Sequence, residues 1–206
     1  MDLKKLKSDI ERSLSSGLLS TGVLLGNLRL IDDDSRKSPQ YQDPKYLPFY
    51  YHLAKQMSPS SVLNVGFNLA LPLCCFLKGS PSVFRAVGLQ LLSQEFYSPR
   101  LALSNIRDVK GRRFPVDFHF GKVTDEEFVR KVPVGVDLAM VTEKVGPDLL
   151  DVLEVCWQNL NLDGFILLDR ASPESAEGLL FSDFCRSKNR DVIFFGTRYG
   201  TALAMK

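Results

Sequence analysis

The chain has 206 residues, 45% hydrophobic and 24% charged, the balance of an ordinary folded protein with one main domain and a short extension. A chain of this length buries about 70% of its unfolded surface and needs neither disulfides nor a metal to fold, and whole-chain disorder, collagen and coiled coil are excluded. The 26 Lys and Arg against 24 Asp and Glu leave a formal charge of +2, too near neutral for a broad polyanion-binding face. The basic clusters Lys4-Lys5-Leu6-Lys7 and Lys110-Gly111-Arg112-Arg113 are short, so nucleic acid is disfavoured as a partner.

In chain order, Leu3, Leu6, Ile10 and Leu14 fall at helical spacing with charges between them. A short apolar segment, Val23 to Ile31, is closed by three aspartates, and the polar stretch from Asp32 to Pro44 contains Ser38-Pro39 and Asp43-Pro44 and reads as a loop. Tyr46 to Met57 is an aromatic helix ended by Pro59. Residues 1–57 are therefore expected to form a helical and irregular extension, and 58–206 the main domain.

From Ser61 onward, β-branched or aromatic runs alternate with helical stretches. Strands are expected at Ser61 to Val65, Ser82 to Leu89, Phe114 to Phe120, Val136 to Val141, Gly164 to Asp169, Asp191 to Phe195 and Tyr199 to Ala204. Helices are expected at Leu69 to Lys78, Ser93 to Ile106, Asp125 to Lys131, Pro147 to Leu160 and Pro173 to Lys188. Such alternation implies crossovers and a largely parallel sheet covered on both faces. Gly196-Thr197-Arg198 is too short for a crossover helix, so the last two strands form an antiparallel hairpin. The expected fold is a Rossmann-like three-layer α/β sandwich, with a mostly parallel seven-stranded sheet and a C-terminal antiparallel hairpin.

Cys74, Cys75, Cys156 and Cys185 lie in apolar surroundings with no CxxC spacing. They read as small hydrophobes rather than as zinc ligands or disulfides. The amphipathic start is unlike a signal peptide, and no apolar run approaches the ~18 residues of a membrane span. A reducing cytoplasm is the expected location.

The stretch Ser58-Pro59-Ser60-Ser61-Val62-Leu63-Asn64-Val65-Gly66-Phe67-Asn68-Leu69-Ala70 runs a strand into a glycine turn and a helix. That arrangement presents bare backbone N–H groups at the carboxyl edge of the sheet, where ligands of open α/β folds lie. It serves equally as a tight turn with no ligand. Together with the terminal hairpin, it resembles the class I S-adenosylmethionine-dependent methyltransferases from about Tyr46 to Lys206, as a divergent member. In that family the turn reads acid-x-Gly-x-Gly-x-Gly. Gly66 keeps the first glycine, Asn68 and Ala70 replace the next two, and Asn64 stands where an acid receives the ligand's amino group. The resemblance implies S-adenosylmethionine as cofactor, held by Asn64, Gly66, Asn68, Gln90, Gly121 and Thr142.

Each of these positions has a plainer alternative. Gln90 replaces a carboxylate that would accept two ribose hydroxyls, and it reads equally as an exposed residue beginning a loop. Gly121 to Thr124 falls where the family approaches the adenine edge, while Thr124 with Glu127 also reads as a helix capping box. His119 reads as a packed histidine in an aromatic strand. Catechol-type O-methyltransferases of the same family bind magnesium through acids at the ends of two strands, where Glu143 and Asp169 stand. Arg170 occupies the place of the adjacent Asn, so no metal is expected, and an ion pair with Arg170 or Lys144 is the alternative for both acids.

Methyl transfer to a small-molecule acceptor is the activity the resemblance implies. Alignment of donor and acceptor would do most of the catalysis, and Glu143, Asp169 or His52 would take the acceptor's proton. Tyr50, Tyr51 and His52 sit on a helix that either lies over a substrate pocket, covers the sheet edge or joins a homo-oligomer or protein partner. The alternative function is a catalytically inactive binding or assembly subunit, since the family's polar contacts are lost together at Asn64, Asn68 and Gln90. Loss of an ammonium's carboxylate partner costs about 1.5–3 kcal/mol, roughly tenfold to a hundredfold in affinity. Asn64→Asp is accordingly expected to tighten binding. No Ser-His-Asp set, P-loop or HExxH occurs.

Overall fold

The computed structural model describes residues 2–29, 43–91 and 99–206. Most of the expected loop before Pro44 and the first turns of the helix expected from Ser93 lie outside these residues. Helix α1 (Leu3–Ser15) starts where the Asp2 carboxylate accepts the Lys4 and Lys5 N–H groups at 2.8 and 3.3 Å. A short α2 (Thr21–Leu25) is capped by Ser20. Helix α3 (Tyr46–Met57) ends at Ser58, whose φ of 47° stops it just before Pro59.

The alternating part follows as β1 (Ser61–Val65), α4 (Leu71–Gly79), β2 (Arg85–Leu91), α5 (Pro99–Lys110), β3 (Val116–Gly121), α6 (Glu126–Val129), β4 (Val136–Val141), α7 (Leu149–Asn159), β5 (Leu160–Asp169), α8 (Ala176–Ser187), β6 (Val192–Phe195) and β7 (Thr201–Met205). One seven-stranded sheet has the order β3-β2-β1-β4-β5-β7-β6. The pairs from β3 to β5 are parallel, and β7 inserts antiparallel between β5 and β6. The expected Rossmann-like sandwich and its terminal hairpin are therefore present.

Strand alternation splits the core into two layers. Val62, Leu138, Met140, Leu167 and Leu203 face α1, α3, α4 and α5, joining Leu6, Ile10, Phe49, Leu53, Leu73 and Ile106 in one apolar cluster. Leu63, Val65, Leu89, Val141 and Ile166 face the other way, joining Leu153, Trp157 and Phe181 of α7 and α8. The residues before Pro59 thus help to build the first layer. No helix of the described residues is long and apolar enough to cross a membrane.

Among the boundaries that depart from expectation, three bear on the site and its surroundings. Strand β2 continues to Leu91, so Gln90 is a strand residue, 1% exposed, and no loop begins there. Strand β5 begins at Leu160 rather than Gly164, with a register shift opposite Val136 and Leu138. Asn161 supports this early start by donating to the Gly135 carbonyl at 3.0 Å and to Asp137 Oδ1 at 2.7 Å. Helix α6 is capped by Asp125, whose Oδ1 accepts the Glu127 N–H at 3.0 Å, and not by Thr124.

Candidate functional site

The chain leaves β1 through a bend of left-handed residues. Gly66 has φ 74°, Asn68 φ 43° and Ala70 φ 58°. Glycine adopts this conformation freely and Asn tolerates it, whereas an alanine there costs about 1–2 kcal/mol. Ala70 is also the first flanking residue of α4, which has no side-chain cap. Strain of this kind persists where the surrounding structure over-determines it, and it concentrates at ligand clamps.

Strands β1, β2 and β4 bring polar side chains to this bend. Asn64 is fully buried, and its Nδ2 donates to Thr142 Oγ1 at 2.8 Å, Met140 O at 3.1 Å and Val65 O at 3.2 Å. Thr142 passes the connection on, donating to Gly66 O at 2.8 Å. Gln90 Oε1 accepts the Asn68 N–H at 3.3 Å, and its Nε2 reaches Glu143 Oε2 at 3.5 Å. Glu143 lies directly on the glycine, since a β-carbon at Gly66 would stand 2.6 Å from Glu143 Cβ and 2.9 Å from its Cγ.

The electrostatics of this cluster are incomplete. Asn64 Oδ1, Asn68 Oδ1 and Glu143 Oε1 are buried acceptors without a hydrogen-bond donor. Buried polar atoms are nearly always paired in folded proteins, and three acceptors lacking donors around one bend is a donor-shaped deficit. Burial raises the Glu143 pKa, partly opposed by Gln90, Asn68 and the charge of Arg170.

No protein-family model and no curated protein sequence matches this chain. Solved structures do. A methyltransferase from Geobacter sulfurreducens superposes with a TM-score of 0.66 at 16% identity, over 97% of this chain and 96% of the other. An O-methyltransferase from Bacillus cereus in complex with S-adenosylhomocysteine gives 0.59 at 15% identity, over 96% and 90%. The O-methyltransferase TomG from Streptomyces achromogenes, in complex with S-adenosylmethionine, gives 0.58 at 14% identity, over 100% and 98%. This chain has the class I methyltransferase fold.

Within that fold, Asn64, Gly66, Asn68, Gln90, Thr142 and Glu143 converge on the bend, while the other three site residues expected from sequence lie in different surroundings. Gly121 ends β3 beneath the Phe128 ring, where a β-carbon would stand 2.5 Å from Cδ2, so its small size admits α6. Asp169 is 3% exposed and accepts hydrogen bonds from Tyr46 Oη at 3.0 Å, Thr201 Oγ1 at 3.2 Å and Arg170 N at 2.9 Å. Its pKa is raised by burial, against the Arg170 N–H, the Tyr50 and Tyr46 hydroxyls and the Arg170 charge. The Tyr50 hydroxyl is buried beside the same carboxyl without a hydrogen bond of good geometry, and burial followed by the Asp169 charge raises its pKa well above the ordinary value. His52 is half-buried on α3, edge-on to Tyr51 at 5.5 Å, with its pKa lowered by burial and by Lys55. Among the described residues no group of three or more His, Cys, Asp or Glu side chains is placed to hold a metal ion.

Sequence reading missed Tyr46 and Thr201 as partners of Asp169. The one available signal was the aromatic density of Tyr46 to Tyr51, which does not say which ring turns inward. It also missed the stack of Phe67 on Phe118, ring centroids 4.3 Å apart. Gly88 makes room for that stack, because a β-carbon there would meet Phe118 at 2.6 Å and Phe67 at 2.7 Å.

Proposed function

We propose that the chain binds S-adenosylmethionine at the Gly66 bend and transfers its methyl group to a small-molecule acceptor. The observation that carries this reading is the trio of donorless acceptors, Asn64 Oδ1, Asn68 Oδ1 and Glu143 Oε1. An ammonium brings three N–H donors and a positive charge, and so meets both the hydrogen-bond deficit and the buried carboxyl. The fold supports the same ligand, since the Bacillus and Streptomyces neighbours hold S-adenosylhomocysteine and S-adenosylmethionine.

The cofactor supplies an electrophilic methyl on a sulfonium. The chain's residues would orient and shield the site. Asn68 and Glu143 would accept the ammonium hydrogens, with Asn64 beneath them, and Thr142 would hold the Gly66 carbonyl in place. Gln90 would exchange its long contact with Glu143 for a ribose hydroxyl. Burial raises the Glu143 pKa in the free chain, and the ammonium would hold the same carboxyl ionised, as its counter-charge rather than as the base. His52, with its pKa lowered by burial and by Lys55, is the candidate base for the acceptor's proton. Asp169 would hold α3 over the strand ends through Tyr46. The buried thiols of all four cysteines suit a reducing cytoplasm.

A second reading, a binding or assembly subunit without catalysis, draws support from two features of the bend. Glu143 carbons press on Gly66, and the Asn64 amide hydrogens are spent on backbone carbonyls. Thermal melting and calorimetric titration with S-adenosylmethionine and S-adenosylhomocysteine separate the two. A saturable heat and a raised melting temperature support the methyltransferase reading. Neither signal at millimolar ligand overturns it in favour of the second.

A further inference from the structure

Away from the bend, the exposed flank of α5 borders a cavity of about 480 Å3 lined by Arg29, Arg100, Ser104, Arg107, Asp108 and Arg112. Because α5 leads into β3, the end of the cavity at Arg107 and Arg112 lies toward the amino ends of the strands, opposite Gly66. Ion pairs among the described residues engage Arg12, Arg85, Arg130 and Arg186, and none of the four cavity arginines. Four arginines against one aspartate give this hollow a charge of +3, more than the +2 of the whole chain. The remaining surface is slightly negative. Among the described residues Asp108 alone offsets these arginines, and like charges in such excess repel one another until an anion shares the site.

The cavity wall is built rather than loose. Asn105 is fully buried, and its Oδ1 accepts the Arg29 N–H at 2.7 Å. Its Nδ2 donates to Arg29 O at 3.1 Å and to Leu69 O at 3.0 Å. This clamp on the N–H and the carbonyl of one residue holds Arg29 against α5, beside the arginines of the helix. A guanidinium offers paired N–H groups that match phosphate oxygens.

We propose that this cavity binds a phosphate-bearing small molecule, its phosphate oxygens bridging Arg29, Arg100, Arg107 and Arg112. The volume falls in the range of small-molecule sites, about 300–1,000 Å3. Four arginines around a hollow of this size favour such a ligand over nucleic acid or a membrane, which require a wider basic face.

The test is calorimetric titration of the full chain with inorganic pyrophosphate and with adenosine diphosphate, repeated on an Arg100→Gln/Arg107→Gln double variant. Saturable binding of either probe is expected, weakened by at least about tenfold in the double variant and weakening with added salt. Both side chains are exposed and, among the described residues, outside any ion pair, so the melting temperature without ligand does not fall. Arg112→Gln, on the turn beyond the helix, weakens binding independently. No saturable binding to the unmodified chain, or equal affinity in the variants, overturns the proposal. Binding to anionic phospholipid vesicles or duplex DNA, with both small probes ignored, overturns it as well.

Discussion

Strand β4 is flanked by two carboxylates in opposite circumstances. At its amino end, Asp137 Oδ2 accepts from Ser60 N at 2.8 Å, Ser60 Oγ at 2.6 Å and Ser61 N at 3.2 Å, while Oδ1 accepts from Asn161 at 2.7 Å. Burial opposes the Asp137 charge, but these bonds outweigh it and lower the pKa. Just past the carboxyl end, Glu143 has a long contact from Gln90 at 3.5 Å, an oxygen with no donor, and a pKa raised by burial against the weaker pull of Gln90, Asn68 and the Arg170 charge. One carboxylate is saturated by its own chain and the other is left wanting donors. The first is a staple joining β1, β4 and β5. The second has the profile of a group whose partner comes from outside.

The largest expected effect falls beneath the bend, at Asn64. Its Nδ2 donates to two backbone carbonyls, so Asn64→Asp sets a carboxylate against acceptors in a dry interior. The variant should lose about 3–5 kcal/mol of stability in urea denaturation, the cost of an uncompensated buried charge. An acid at this position is therefore expected to harm the protein, whereas the resemblance in sequence implies that it tightens binding. Unchanged stability would contradict the orientation of the amide.

Asp137→Ala strips the acceptor from four donors and should cost about 2–3 kcal/mol, read in the same denaturation series. Glu143→Gln removes a poorly solvated charge and should change stability by less than about 1 kcal/mol, with stabilisation the expected sign. Equal losses at the two positions would erase the distinction between staple and site.

The smallest effect is in pH dependence, and its sign differs between the two acids. The Asp137 pKa is depressed on folding, so its stabilisation is present above the unfolded value of about 3.9 and fades as pH falls through the folded value. The Glu143 pKa is raised, so its contribution is fully present below the unfolded value of about 4.3 and is lost as pH rises through the folded value. Asp169 shifts in the same direction as Glu143, so the difference between the unmodified chain and Glu143→Gln isolates Glu143. That difference should grow as pH rises from 4 to 7, and a flat difference would contradict the burial of Glu143.

The sheet was legible because its alternation survives in local signals. β-Branched runs mark the strands, and the three-residue link Gly196-Thr197-Arg198 admits only a hairpin. Boundaries slipped where tertiary pairing extended a strand, as at Gln90 and at Leu160 to Asp163. Gly66 announced the bend because glycine is the ordinary residue for its backbone angle. The direction of the Asn64 amide was not legible, since its partners Met140 and Thr142 come from a strand far along the chain. Nor was the enclosure of Asp169, which depends on how α3 docks and turns Tyr46 inward. The arginine cavity was invisible for a similar reason: only folding brings Arg29 beside Arg100 and Arg107.

The most direct measurement is calorimetric titration of S-adenosylmethionine into the unmodified chain and into Glu143→Gln under identical conditions. Saturable binding is expected in the unmodified chain, weakened about tenfold to a hundredfold when the carboxylate becomes an amide, the worth of one charge-assisted hydrogen bond. Equal affinity in the two proteins would contradict the assignment of the ammonium to Glu143 and its neighbours at the bend.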